Sequence, residues 1–464
     1  MNARRLAATV GVALVLAAAP LVRAQEGGPG DPIAPPPPEQ QEQSGGYADW
    51  MEGELERIDK LDLYGVSAQV PEGYFTVKWD YTMLKASRRY NGVGEAGNIV
   101  EPVEFTVDHG DGQVHKLISL DLGVSGEGGG HTFQLSYGIS DWLNPYVEIP
   151  FQYMTVKMNP KLNPVIDGKD YTLNPDYANV PEAVLFNGAL GVSNPAEYTS
   201  QDFMCRTLPD KLGRPTPGRL YEARWVLGDI NAGFSYNFYR SEHLSAHITP
   251  RVYFPTGRVA DANQSLLYAT GPQLDTGIGG WAAGATAGYD IRLWKPHDYF
   301  DFIFSSEMKM TYGFEQQRKY PTNFTPPDPL VASNSAISAY FPDLSSLEGT
   351  FSYTPGMSVE WTAQLQAQLA LVGLAFGYGI SFSQEPEIDA DPNFVTMVNT
   401  LEILGQQTIQ QIQVGGQISL LPLYIPLNLG FAWRKVVGGQ NAIIFDDYYQ
   451  ITVQGYLPVY LLWE

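Results

Sequence analysis

The sequence has 464 residues and a formal net charge of −22, from 50 acidic and 28 basic side chains. This acidic balance argues against a nucleic-acid partner, because phosphates attract lysine and arginine. Only 17% of the residues are charged, whereas 47 are glycine and 28 are tyrosine, and this composition favours one large barrel over two or three soluble domains. Cys205 is the single cysteine, which excludes an intramolecular disulfide.

The N-terminus is typical of an export signal. Arg4 and Arg5 precede an apolar run at residues 6–19, and small residues before Gln25 form a cleavage site. Residues 1–24 are therefore predicted to be a signal peptide. Residues 25–70 follow as a proline-rich linker with a short helix at 48–62, interpreted either as a lumen plug or as a helix against the barrel mouth.

Residues 71–464 are assigned to an outer-membrane β-barrel, because apolar and polar side chains alternate in them with the period of a strand. The region before Gly130 is either one long loop or contains a further hairpin, at 103–107 and 118–124, which would raise the strand count from twelve to fourteen. The twelve predicted strands are at residues 73–85, 131–140, 143–158, 228–239, 243–256, 277–293, 299–314, 357–371, 372–383, 408–420, 423–435 and 447–463.

The hairpin at residues 356–383 shows the pattern most clearly. Odd positions are apolar and even positions polar as far as Leu371, and the phase inverts at Val372. Each run is roughly twice the 5–6 residues of a usual soluble strand and reaches the roughly 9–11 residues that cross a bilayer. The predicted fold class is all-β, an antiparallel transmembrane barrel with an apolar exterior and a polar lumen.

Short and long connections alternate along the chain. Short turns are predicted near residues 141–142, 240–242, 294–298, 370–372 and 421–422, whereas long loops include 159–227 and 315–350. Bacterial outer-membrane barrels have short periplasmic turns, longer outer loops and an even strand number. The pattern predicts a monomer in the outer membrane of a Gram-negative-type bacterium, in contact with outer-membrane lipid and inserted by the barrel-assembly machinery.

Enzyme signatures are not found in the sequence, and no catalytic residue, metal site or cofactor is predicted. His243 and His247 have the helical zinc spacing but fall on a predicted strand, so they are interpreted as polar lumen or rim residues. The polar phase of the strands gives these candidates for lining the lumen: Lys78, Asp80, Glu148, Asp229, Arg251, Asp301, Glu307, Lys309, Glu360, Gln364, Gln366, Gln368 and Arg434.

Mixed charges inside a barrel have two opposite consequences. They line a path for a solute, or they pair across strands and close that path. Barrels of about eight strands are filled by side chains and only those of about sixteen leave a wide channel. Twelve strands leave both alternatives open.

Two stretches carry a resemblance to a known family. One is residues 131–151, with the pattern Y-G-I-S-D followed by V-x-I-P-F, and the other combines Gly228-Asp-Ile with Pro255-Thr-Gly. They resemble the outer-membrane barrels described as transporters of the phenol meta-cleavage pathway, distant relatives of the long-chain fatty-acid channels. The similarity covers residues 130–289 and implies uptake of small hydrophobic or aromatic compounds. The proline-rich N-terminus, the loop at 159–227 and the ending Leu-Trp-Glu depart from it.

The predicted function is an outer-membrane channel or transporter for small, hydrophobic or aromatic solutes. Two rival hypotheses are a closed structural or adhesive barrel acting through its acidic outer loops, and an outer-membrane hydrolase. The sequence does not identify the solute.

Overall fold

The computed structural model describes residues of the unit Trp50–Glu464. The predicted signal peptide, linker helix and final residues of the last strand lie outside the described residues. The described residues are 66–67, 70–108, 114–163, 165–166, 169–170, 187–193, 197–216, 218–259, 261–264, 275–297, 300–338, 341–399, 405–423 and 425–458.

Twelve long strands form one antiparallel sheet that closes on itself. In chain order they are β1 Tyr74–Tyr90, β2 Ser125–Tyr137, β3 Leu143–Lys157, β4 Asn231–Arg240, β5 Leu244–Tyr253, β6 Ala282–His297, β7 Phe300–Gly313, β8 Met357–Leu369, β9 Val372–Ser383, β10 Gln407–Ser419, β11 Leu427–Gln440 and β12 Ile443–Pro458. Each strand pairs with its neighbours in sequence, and β1 pairs with both β2 and β12. The predicted twelve-stranded barrel is confirmed.

The alternation of side chains separates the two faces of this wall. On the outer face Leu374 and Phe376 expose 65% and 57% of their surface, whereas on the inner face Gln368 and Ser305 expose 6% and 0%. Apolar side chains with this exposure would be unfavourable in water, and lipid removes that cost. The outer face is therefore a lipid-facing surface.

Aromatic pairs lie at both ends of the wall. At the end with the short turns, the rings of Trp142 and Tyr236 are 5.4 Å apart. At the other end, Trp281 lies 5.2 Å from the ring of Phe254. Tryptophan and tyrosine prefer the membrane–water interface, so these pairs mark the two boundaries of the apolar band.

The wall changes partner at one point on β3. Its first half pairs with β4, whereas its second half pairs with a separate strand, Leu220–Leu227, that leads into β4. The break lies opposite Pro150, whose carbonyl accepts a 2.8 Å bond from Gly228 N–H. The prediction of one loop over 159–227 is wrong at its C-terminal end, because a register shift before Val226 interrupts the alternation.

One outer connection is much shorter than predicted. β11 and β12 extend towards each other until only Asn441 and Ala442 separate them, and Asn441 has a φ of 50°. Asparagine tolerates this left-handed conformation better than most residues. The strands predicted at 423–435 and 447–463 are therefore displaced, and a tight hairpin replaces the loop between them.

The hairpin suspected before Gly130 exists but lies outside the barrel. Its strands, Val103–Asp108 and Val114–Asp121, form a three-stranded sheet with Lys161–Asn163, so the strand count is twelve. Other strands outside the barrel are Gln316–Lys319, Thr350–Thr354 and Glu387–Asp389, which form one sheet, and the pair Val165–Ile166 and Lys169–Asp170. The short strand Ala96–Asn98 pairs with the end of β1.

The described helices are short, and none is long and apolar enough to cross a membrane. The helix Pro392–Asn399 begins after Asp391, whose carboxylate accepts a 2.8 Å bond from Asn393 N–H. The helical segments are Ser200–Asp202, Phe203–Lys211, Ala262–Gln264, Pro329–Ala332, Ser335–Ser338, Pro392–Asn399 and Leu421–Leu423.

The loops after β1, β3 and β7 pack together into what we call the cap. Its core contains fully buried side chains from two of these loops, including Leu212, Val331 and Ile337. The Arg214 guanidinium lies 4.8 Å from the ring of Phe324 and donates a hydrogen bond to Pro342 O, both in the loop after β7. These loops are therefore a folded layer with a hydrophobic core.

An ion pair joins the same two loops at the cap surface. Lys211 Nζ lies 2.7 Å from a carboxylate oxygen of Asp328. This hydrogen bond lowers the pKa of Asp328 below its ordinary value. The pair is partly exposed to solvent, so its contribution to stability is small.

Gly213→Ala is expected to loosen the cap without unfolding the barrel. Gly213 has a φ of 65°, and an added Cβ would lie 2.0 Å from the carbonyl oxygen of Thr325. A left-handed alanine costs about 1 kcal/mol, and the clash adds more. Protease treatment of intact cells should cut the outer loops faster than in wild type, while the heat-modifiable gel band of the barrel stays unchanged. Equal cutting rates would contradict the prediction.

Candidate functional site: the barrel lumen

The segment before β1 reaches across the lumen to the wall at β6. Asp290 on β6 accepts bonds from Val66 N–H at 3.0 Å and from Ser67 N–H at 2.7 Å, and a further bond from the Ser67 hydroxyl. The Ser305 hydroxyl donates to the same carboxylate from β7. Asp290 is buried, so these donors replace the water that its charge would otherwise require.

The wall beside this contact carries mixed charges. His247 Nε2 on β5 lies 3.8 Å from Glu307 on β7, and Arg251 on β5 donates to the Thr286 hydroxyl on β6. His247, Arg251 and Glu307 are all predicted from sequence to lie in the lumen or at its rim, and the fold brings them together on β5 and β7. In the described part of the chain, no three His, Cys, Asp or Glu side chains are grouped so as to hold a metal ion.

The opposite wall, from β8 to β12, lines an open cavity of about 280 Å³. Small residues keep this wall free of bulk, among them Gly373, Ala375 and Gly415. Amide side chains provide most of its polar groups: Gln366, Gln368, Gln413, Gln417, Asn428, Gln450 and Gln454. Arg434 is the single charged side chain among the residues that line it. The lumen therefore has one wall with mixed charges and one amide-rich wall whose cavity is lined by a single charged side chain, Arg434.

Three predicted lumen residues, Gln366, Gln368 and Arg434, line this cavity. Lys309 and Glu360, which are direct cross-strand neighbours, line a second cavity of about 230 Å³ nearer the outer end. Gln364 lies between the two groups on β8, opposite Ser305 of β7.

The other predicted charges are engaged with neighbouring strands. Lys78 Nζ lies 3.0 Å from Asp80, whose carboxylate also accepts bonds from Gln450 and Thr452 of β12. Asp301 pairs with Arg292 at 2.8 Å near the short-turn end. Glu148 lies between Gln134 of β2 and Asn231 of β4 in the strand register.

Asp229 has a different setting from the other candidates. It lies at the break in the wall before β4, where its carboxylate accepts a 2.8 Å bond from Gly257 N–H and another bond from Ile278 N–H. The Thr256 hydroxyl donates to Gly228 O at 2.8 Å. The Gly-Asp-Ile and Pro-Thr-Gly motifs thus meet in space, and Asp229 fixes both ends of the loop between β5 and β6.

Sequence reasoning missed Asp290 and the glutamines of β10. Asp290 falls in the polar phase of β6 with Thr286 and Gly288, so the same alternation could have identified it. Its contact with Ser67 spans more than two hundred residues of sequence and leaves no local pattern. Gln413 and Gln417 alternate with the apolar Val414 and Ile418 on β10, so the same pattern could have identified them as inner-wall residues.

The closed wall, apolar outer face, aromatic boundaries and polar interior together define the class. The protein is a transmembrane β-barrel of the bacterial outer-membrane type, which confirms the predicted fold and location. This assignment rests on the strand pairing and on the exposed outer face.

No protein-family profile matches the sequence, and no curated protein matches it. Several solved structures have a similar chain path. An outer membrane channel from Pseudomonas putida F1 is 10% identical, with a TM-score of 0.47 over 85% of this chain and 98% of that chain. The toluene transporters TbuX of Ralstonia pickettii and TodX of Pseudomonas putida are each 8% identical, with TM-scores of 0.31 and 0.30. They cover 85% and 84% of this chain, and 92% and 90% of their own. The resemblance to phenol meta-pathway transporters stays a prediction.

Proposed function

We propose that the protein is an outer-membrane channel that passes small, hydrophobic or aromatic solutes. The observation that supports this most directly is the cavity of about 280 Å³ inside the wall formed by β8 to β12. An apolar cavity of about 150 Å³ is large enough to hold benzene, so a substituted ring fits this space. The Val66–Ser67 segment is bound to β6, on a different part of the wall from the cavity.

The small side chains of the cavity wall account for the free space. Gly373 and Gly377 on β9 leave room for the amides of the adjoining strands, since an added Cβ at Gly373 would lie 2.3 Å from Gln368 Oε1. Twelve strands lie between the roughly eight that side chains fill and the roughly sixteen that leave a wide channel, so the size of the inner side chains decides how much space is free. The passage therefore depends on these positions remaining small.

A closed barrel that acts through its outer surface is the second candidate function. The observation that favours it is the cap, whose buried core makes the outer loops a defined surface. The two candidates differ in one measurable property, because a closed barrel conducts no ions and passes no solute.

Ala375→Phe is expected to reduce solute flux several-fold by filling the cavity. Ala375 lines the cavity on β9, whereas Ala363 on β8 is in the outward phase with Trp361 and Leu365 and serves as the matched control. Purified protein in liposomes would be tested for swelling in arabinose and for conductance in planar bilayers. Flux that is present in wild type and in Ala363→Phe but reduced in Ala375→Phe would support a channel. If neither wild type nor a variant lacking residues 48–62 showed flux, the closed barrel would be the remaining candidate.

A further inference from the structure

We infer that the cavity between β8 and β12 is a binding site for small organic carboxylates, with Arg434 as the group that holds the carboxylate. This inference rests on the proposed channel function and specifies which aromatic solutes it would favour. Its basis is the state of one cation in an otherwise uncharged cavity.

Arg434 has no acidic partner among the described residues. Its guanidinium lies 5.1 Å from the ring centre of Tyr448, the cross-strand neighbour on β12. Its Nε atom is buried and has no hydrogen-bond acceptor. A buried, unpaired donor on a charged group is costly unless a ligand supplies the acceptor.

The other cations of the inner wall have partners on their own or a neighbouring strand, and Arg251 donates a hydrogen bond to the Thr286 hydroxyl. Lys78 pairs with Asp80 at 3.0 Å, and Arg292 pairs with Asp301 at 2.8 Å. Lys309 is the cross-strand neighbour of Glu360. Arg434 is therefore an excess positive charge that faces the free volume.

The surroundings of Arg434 suit a planar carboxylate. Guanidinium and carboxylate groups form two parallel hydrogen bonds in one plane, a geometry that an ammonium cannot reproduce. Gln413, the neighbour on β10, lies beside Arg434 with an amide that can donate a further bond. The glycine and alanine positions of the same wall leave room for a ring of benzoate size.

A neutral ring compound lacks the charge that would compensate Arg434. Binding of benzamide, which has the shape of benzoate without its charge, would leave the guanidinium without an anionic partner. We therefore expect the site to prefer benzoate over benzamide, and acetate to bind more weakly than benzoate because it fills less of the cavity.

The test is isothermal titration calorimetry of the full-length protein in detergent with sodium benzoate, benzamide and acetate. A second measurement is the block of bilayer conductance by benzoate at about 0.1 M KCl. Arg434→Gln should weaken benzoate binding by about tenfold or more, the range for a lost charge-assisted pair. The affinity of Arg434→Lys for benzoate should lie between those of wild type and Arg434→Gln. Lys435→Gln, one residue on and on the exposed face, removes the same charge and should bind like wild type.

The outcomes separate this site from the channel function. Equal affinity for benzoate and benzamide, or an unchanged affinity in Arg434→Gln, would overturn the carboxylate site even if the protein conducts. Benzoate binding that depends on Arg434 in a protein without conductance would support the site and refute the channel. Chloride competition at equal strength would show a general anion site and would also overturn the inference.

Discussion

Asp290→Ala is expected to release the Val66–Ser67 segment from the barrel wall and to raise single-channel conductance at least twofold. Three donors of this segment lose their acceptor: two backbone N–H groups and the Ser67 hydroxyl. A hydrogen bond to a charged group contributes about 1.5–3 kcal/mol. Even one such bond shifts the bound population about tenfold or more, so the segment would detach far more often, although the Asn237 amide still donates to Ser67 O.

The reason for an increase in conductance is geometric. The segment runs from the start of β1 to β6, which is separated from β1 by four intervening strands. It therefore crosses the lumen and occupies cross-section that ions would use. Its release would widen the path in the periplasmic half, where β1 begins.

Conductance of single molecules in planar bilayers would measure this effect, and two further variants make the result specific. Glu148→Ala removes an inner-wall carboxylate on β3 that forms no described contact with the segment, so it controls for charge alone. A variant lacking residues 25–67 should conduct like Asp290→Ala, and adding the substitution to it should change nothing more. Full additivity of the two changes would refute a shared mechanism, as would an equal effect of Glu148→Ala.

The barrel was predictable from sequence because the alternation of apolar and polar residues that defines each strand is a local pattern. Alternation over ten or more residues fixes which face of β8 or β9 meets lipid, and the inner-wall glutamines of β8 follow from the same phase. Lengths of turns then fix the strand order. Where alternation is broken, as at Trp225 with its φ of 46°, the sequence predicts a loop although the strand Leu220–Leu227 lies there.

The cap and the contact of Asp290 with Val66 and Ser67 were not predictable in the same way. Leu212 and Val331 share a core although more than a hundred residues separate them, and neither belongs to an alternating run. Contacts of this kind arise when loops fold over a finished barrel, so their pattern is spatial. The motifs containing Asp229 and Thr256 carry the resemblance to a family in the sequence, whereas the contact between them is visible only in the structure.

Asp229→Ala is expected to be the most destabilising single change in the barrel wall. The carboxylate of Asp229 is buried and accepts the N–H groups of Gly257 and Ile278, so it holds together the two ends of the loop between β5 and β6. Alanine leaves both amides without an acceptor at a point where β3 changes partner, and no strand pairing compensates for the loss. Unsatisfied buried donors cost about 1–3 kcal/mol each.

Asp229→Asn keeps one oxygen acceptor but presents an NH₂ group to the second amide, so it should lie between wild type and alanine. The matched control is Glu222→Ala on the strand leading into β4, because Glu222 forms only a surface ion pair with Arg224 and its loss should change stability by about 0.5 kcal/mol or less. The temperature at which the folded band disappears in heat-modifiability gels would rank the variants. The expected order of stability is wild type and Glu222→Ala together, then Asp229→Asn, then Asp229→Ala. If Asp229→Ala unfolded at the same temperature as Glu222→Ala, the carboxylate would not be what joins the loop to the wall, and Asp229 would return to the set of lumen-lining candidates.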